Sequence, residues 1–191
     1  MRPRHWALLT LAALATGVGL TQPAVRYVMG EIAVHDGPWL TSAGTGSMDA
    51  DLYERAAVAV AGLYALSRAE TVYYTAFTDD DGAPLTGRCD YRVSGQPPPA
   101  RWWSLTLYGA DHYLVANPQN LYSRHAANLK FAGDGSFSIP VSSAGAVAEN
   151  LLPAPANAAF SLTLRLYQPA ADAAANLATL ELPSIKRASC R

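Results

Sequence analysis

The 191-residue sequence predicts a mainly β chain: an antiparallel sandwich or jelly roll with one packed helix, preceded by an N-terminal hydrophobic helix. Three observations point there. The chain opens with a basic start and an uncharged apolar run. Beyond residue 70 the hydrophobic period is two, in about seven short segments. Those segments are separated by turns rich in Gly, Pro and Asp, the spacing of a sandwich or barrel.

Composition narrows the class. Half of the chain is hydrophobic and only 15% charged, which suits one packed domain and not a disordered or coiled-coil chain. Arg2, Arg4 and Arg26 fall in residues 1–30, which hold no acid; removing these three from 14 basic residues leaves 11 against 15 acidic ones, a net −4 over 31–191. A mildly acidic domain without a basic cluster excludes nucleic acid as the expected partner.

Arg2, Arg4 and His5 precede the uncharged stretch Trp6–Leu20, the pattern of an export signal. Residues 1–29 are thus read as a signal anchor or a signal peptide. A small-x-small site at Ala13-Leu14-Ala15 would leave a very short apolar region, and Gln22-Pro23 interrupts the pattern after Leu20. Counting on to Val25 approaches the lower limit for crossing a bilayer, and the leading arginines favour a cytoplasmic N-terminus. An inner-membrane, single-pass protein with its C-terminal domain outside the cytoplasm is expected; secretion to the periplasm after cleavage is the alternative.

Residues 30–48, with Gly37-Pro38 and the run Thr41–Ser47, read as a linker, in which Trp39 is the one residue expected to dock. The domain proper is then 49–191. Its helix is expected over 49–68, capped by Asp49 or Asp51 with Glu54 completing a capping box. Leu52, Ala56, Ala59, Val60, Leu63 and Leu66 form one apolar stripe, expected to pack on the sheet.

Strands follow at Thr71–Thr78, Arg88–Ser94, Arg101–Tyr108, His112–Ala116, Asn128–Phe131, Ser136–Val141 and Phe160–Tyr167. Asp79-Asp80-Asp81-Gly82 and Gly133-Asp134-Gly135 read as turns. Ala170–Ala178 allows another helical turn or two.

Alternation assigns faces. Trp103, Leu105 and Leu107 share one side of their strand, with Trp102, Ser104, Thr106 and Tyr108 on the other. Phe160, Leu162, Leu164 and Leu166 likewise oppose Ser161, Thr163, Arg165 and Tyr167. Cys89, Tyr91 and Val93 oppose Arg88, Asp90, Arg92 and Ser94. If these strands are neighbours, Arg92, Trp102, Tyr108, Arg165 and Tyr167 line one shallow ligand-binding surface suited to sugars, anionic lipids or small carboxylates. The plainer reading is a solvated face whose aromatics only stabilise cross-strand pairs.

Catalytic and metal signatures are weak. The chain has no Gly-x-Ser-x-Gly elbow, no His-x-x-x-His pair and no phosphate loop, so no cofactor or metal is expected. The acidic turn at 79–82 has Phe77 and Arg88 where a calcium loop needs ligands. One acid–base candidate is Asp111-His112, near Asn117 and Asn120. Cys89 and Cys190 either form a disulfide tying the tail to the sheet or remain a buried and an exposed thiol.

Several stretches together resemble the domain of unknown function numbered 1214. They are Ala69-Glu70-x-Val72-Tyr73-Tyr74, Asp81-Gly82-x-Pro84-Leu85, Trp102–Tyr108, Asn117-Pro118, Asn150-x-Leu152-Pro153 and Leu162-x-Leu164-Arg165-Leu166-Tyr167. The resemblance implies a β-sandwich or jelly-roll domain, here in a short membrane-anchored form without the domain numbered 1254 that often precedes it. Leu151 and Leu121 depart from the Trp and Arg typical of relatives. No catalytic residue comes with the resemblance. Three functions are expected to compete: non-enzymatic binding of a small molecule, glycan or envelope protein outside the cytoplasm; an enzyme using Asp111 and His112; and an accessory subunit recognising a membrane protein.

Overall fold

The computed structural model describes residues 3–31, 33–42, 44–60, 65–143, 148–178 and 180–191. Its N-terminal helix, α1 (Pro3–Glu31), continues through Pro23 instead of stopping there. The ring removes one N–H from the ladder, which a long helix tolerates. Within it, Arg4–Tyr27 is 24 residues long with a mean hydropathy of 1.5, long and apolar enough to cross a membrane or act as a signal anchor. At 1.5 Å per residue this window measures about 36 Å, against about 30 Å of bilayer hydrocarbon.

Residues 30–48 differ from the expected linker. Strands β1 (Ala33–Asp36) and β2 (Trp39–Ser42) pair antiparallel around Gly37, whose φ of +56° suits a residue without Cβ. β2 then joins β3 (Thr71–Ala76) through Trp39↔Ala76 and Leu40↔Thr75. Trp39 is the anchor: it is 1% exposed, and its indole N–H donates to the Pro183 carbonyl at 2.7 Å. Small residues suggested flexibility, but one buried tryptophan docks the hairpin, and only the turns around 44–50 resemble a linker.

Helix α2 (Leu52–Val60) starts on the expected cap. Asp51 Oδ1 accepts from the N–H groups of Tyr53 and Glu54 at 2.8 Å each, and Glu54 Oε2 accepts from Asp51 N–H at 3.3 Å. The helix is shorter than expected: residues 65–70 are not helical, and Leu63 lies outside the described residues. Its orientation also differs. Ala57 is buried against the sheet side, while Leu52, Ala59 and Val60 face outward. Ala57 and its neighbour Val58 face the cavity between the helix and the sheet.

The remaining strands are β4 (Cys89–Gly95), β5 (Ala100–Gly109), β6 (Ser123–His125), β7 (Phe137–Ser142), β8 (Leu152–Pro153), β9 (Phe160–Pro169) and β10 (Ser184–Cys190). They form a six-stranded sheet, β1-β2-β3-β9-β5-β6, and a four-stranded one, β10-β4-β7-β8. The pair β7–β8 is parallel, so the smaller sheet is mixed and not purely antiparallel. The core lies between the sheets, as alternation predicted. Leu105, Leu107, Leu162, Leu164 and Leu166 from one meet Tyr91, Val93, Ile139 and Val141 from the other. Trp103 packs on Phe137 with ring centroids 4.7 Å apart, and Tyr91 on Phe160 at 5.7 Å.

Two expected strands are absent. His112–Ala116 makes only a single bridge, Tyr108↔Leu114, and Asn128–Phe131 is a loop with Leu129 buried. The edge strand pairing with β5 is the polar Ser123–His125, which carries no hydrophobic alternation. Helix α3 (Ala171–Ala175) supplies the expected helical turn.

The C-terminal strand is fastened at several points. Cys89 and Cys190 form a disulfide. Arg187 reaches Asp79, whose side chain is 1% exposed, at 2.6 Å, and Arg191 reaches Asp90 at 2.8 Å. Burial alone would push the Asp79 carboxyl up, but Arg187 and the N–H groups of Ala83 and Asp81 outweigh it and hold the group below its ordinary value of 3.8. Asp90 is lowered as well, chiefly by the Ser142 hydroxyl, against a smaller opposing effect of burial.

Candidate functional site: a pocket on the outer face of the large sheet

The outer face of the six-stranded sheet is not simply solvated. Ser104, Thr106, Ser161, Thr163 and Tyr73 all point away from the core and are nonetheless buried. Over part of this face, α2 and the β1–β2 hairpin join Tyr73, Ser161 and Thr163 in lining a cavity of about 150 Å³. Its walls include Leu40, Ala57, Val58 and Phe77, with hydroxyls from Thr75, Ser161 and Thr163 on the floor.

Arg165 is the charged centre of this pocket. Register places it opposite Tyr73 on β3, with Tyr108 four residues along β5 from its other partner, Ser104. Its Nη2 donates to the Tyr108 hydroxyl at 2.8 Å, and its Cζ lies 5.4 Å from the Tyr108 ring centroid and 5.8 Å from that of Tyr73. The Arg165 and Tyr108 side chains therefore reach toward each other across the registered pair Thr106↔Thr163. Among the described residues no carboxylate stands within ion-pair distance of Arg165. Glu54 lines the same cavity, but its Oε2 serves the start of α2.

The residues expected to form one surface divide into three places. Tyr108 and Arg165 share the pocket. Trp102 and Tyr167 are on the same face but at its other end, as a registered pair with centroids 5.0 Å apart. There His125 stacks on Trp102 at 5.2 Å, and its Nδ1 is buried with no partner among the described residues. Arg92 lies elsewhere: β4 belongs to the four-stranded sheet, where Arg92 donates to Ser138 at 3.2 Å beside an open depression that also involves Lys130 and Glu149. Alternation gave its side of the strand, but not which sheet the strand enters.

His112 and Asp111 sit in the turn after β5. Asp111 Oδ1 accepts from Tyr113 N–H at 3.1 Å, so the carboxylate closes the turn. His112 has a φ of +64° and lines the pocket. Asn117 holds its loop by bonding Val115 and Leu121, and Asn120 bonds Tyr122. Sequence reasoning missed Tyr73, Thr75, Leu40 and the α2 wall. Tyr73 and Thr75 have the parity that points outward from β3, a usable signal once β3 is known to neighbour β9. Among the described residues no three His, Cys, Asp or Glu side chains gather as a metal site.

No curated protein matches the chain. Among solved structures, the VPA0106 protein from Vibrio parahaemolyticus is 27% identical with a TM-score of 0.62, covering 74% of this chain and 36% of its own. An uncharacterised protein from Burkholderia cenocepacia is 21% identical with a TM-score of 0.42, covering 64% of this chain and 30% of its own. The chain thus spans about a third of the length of these two proteins. The family described as "Protein of unknown function (DUF1214)" matches residues 70–171, more than half of the sequence, from the start of β3 to the start of α3. This chain therefore belongs to the DUF1214 family.

Proposed function

We propose that the chain is a cell-envelope protein, held by α1 in the inner membrane, whose β domain outside the cytoplasm binds a small anionic molecule in the pocket of the large sheet without transforming it. The observation that carries this reading is Arg165: a half-buried guanidinium, flanked by two tyrosine rings, beside an apolar cavity and with no carboxylate paired to it among the described residues. A guanidinium presents a planar fork of donors that matches a carboxylate, and partial burial strengthens such a bond. A cavity of about 150 Å³ takes a benzene-sized group, which suits a short or aromatic carboxylate.

Benzoate and benzyl alcohol, titrated calorimetrically into the full chain in detergent, test this. The account expects benzoate to bind more tightly than the alcohol. Arg165→Met should weaken benzoate by about 10- to 100-fold, the equivalent of one charged hydrogen bond. Equal affinity for acid and alcohol, or no loss on Arg165→Met, contradicts it.

The acid–base reading ranks second. In its favour, His112 lines the same cavity in a left-handed conformation that a non-glycine residue rarely adopts. Against it, the Asp111 carboxylate closes the turn on the Tyr113 N–H, and among the described residues no hydrogen bond joins it to the His112 imidazole. Turnover lost on His112→Ala with benzoate affinity intact would reinstate it.

A further inference from the structure

We propose that the outward stripe of α2 lies in the boundary between lipid headgroups and acyl chains, seating the domain directly on the bilayer that α1 enters. The inference rests on reading α1 as a membrane span. Its first support is the chain path. Tyr27 ends the apolar window, Glu31 ends α1, and β1 begins at Ala33. Four helical residues measure about 6 Å, so the large sheet starts close to the membrane surface.

The second support is depth. α1 packs against α2, and the described residues of α1 that lose exposure are Ala24, half-buried, and Val25, 8% exposed. Both lie in the last turns of the apolar window. α2 therefore stands level with the end of the span.

The third is what α2 presents there. Leu52 is 83% exposed, Tyr53 54% and Val60 60%, with Met48 at 89% just before the helix. Helical spacing places Leu52, Ala56, Ala59 and Val60 on one face. This is the apolar stripe predicted to pack on the sheet, now turned away from it. Contiguous exposed apolar groups mark an interaction surface, and a short amphipathic helix beside a membrane span fits the bilayer interface. Tyr53 adds a ring with a polar tip, the kind of side chain that collects there.

Charge indicates how it would bind. Asp49, Asp51 and Glu54 cluster at the helix start, and Arg55 folds back on the Ala50 and Met48 carbonyls at 2.9 and 3.0 Å. Among the described residues of α2 no basic row faces outward, so attachment comes from apolar burial and should not depend on anionic lipid.

The test places nitroxide labels on the full chain, disulfide intact, in phosphatidylcholine nanodiscs. The labelled variants are Leu52→Cys, Ala59→Cys, Val18→Cys in α1 and Ser138→Cys on the small sheet, with oxygen as the lipid-soluble relaxer and a nickel chelate as the aqueous one. The proposal expects positions 18, 52 and 59 to shift to oxygen preference, 138 to remain nickel-accessible, and phosphatidylglycerol to change none of them. If 52 and 59 behave like 138 while 18 prefers oxygen, the span stands and the seat is overturned. Labels at 52 and 59 shielded from both relaxers would mean that a second copy covers the stripe, which also overturns it. A nickel-accessible position 18 defeats the membrane reading itself, and the seat with it.

Discussion

Arg92 and Arg165 occupy equivalent places in their strands, each outward-facing between residues that point into the core, yet their surroundings have little in common. Arg92 stands on the small sheet, exposed, bonded to a serine hydroxyl. Arg165 stands on the large sheet, half-buried between two tyrosine rings under a helix and a hairpin. The difference comes from what covers each sheet. α2 and β1–β2 come before β3 in sequence and wall the cavity on one outer face, converting part of a polar face into a pocket. A side chain's parity decides which way it points, but long-range packing decides whether that direction leads to water.

Substitutions can break or sharpen this contrast. The largest effect should come from the shared core. Leu164→Ala, at a fully buried site in central β9, is expected to cost about 3 kcal/mol in a urea titration and to compromise both faces together. Retention of small-sheet structure with loss of the large one would show that the sheets fold separately.

Next is the edge of the small sheet. Cys89 and Cys190 close a loop with a sequence separation of 101, and replacing both with Ala should cost about 2–4 kcal/mol. The pocket lies on the other sheet, so benzoate affinity should not change; a parallel loss would mean that the two regions are coupled.

Arg187→Met should lower stability in a urea titration, by less than the loss of a fully buried pair because Arg187 is 35% exposed. Its pH dependence follows from the lowered Asp79 carboxyl. A depressed folded value contributes stability above the ordinary value of 3.8 and loses it as pH falls through the folded one. The variant's acid unfolding limb should therefore be shallower than that of the parent, monitored by circular dichroism between about pH 5 and pH 2.

The smallest effect concerns the hairpin that walls the pocket. Burial raises the Asp36 carboxyl despite a hydrogen bond from the Leu180 backbone, and its Oδ2 has no partner among the described residues. A raised acid favours the protonated native form, so Asp36 costs stability at neutral pH, and this cost diminishes as pH falls through the folded value. Asp36→Asn should raise neutral-pH stability by about 1 kcal/mol, with the gain disappearing in acid.

The sandwich was legible because period-two alternation is local: β4, β5, β7 and β9 were read within a residue or two of their ends. What failed was non-local. Trp39 docks through Pro183, far along the chain, so nothing adjacent to it distinguished a strand from a linker. β6 is polar on an edge and carries no pattern. The α2 stripe was recognised but assigned the wrong neighbour, because periodicity shows that a face is apolar without showing what it meets. Half of the site was legible: Tyr108 and Arg165 were named, and His112 for another reason. Tyr73 needed the β3–β9 pairing. Several motif residues behind the family resemblance turn out to support the fold; Asn150, for example, exchanges amide bonds with the Lys130 backbone.

The most direct test of the central claim is native mass spectrometry of the full chain extracted from membranes without refolding. The account predicts an anionic small-molecule adduct that survives Arg92→Met and is lost on Arg165→Met. An adduct equally present in both variants, or none in the parent chain, would contradict it.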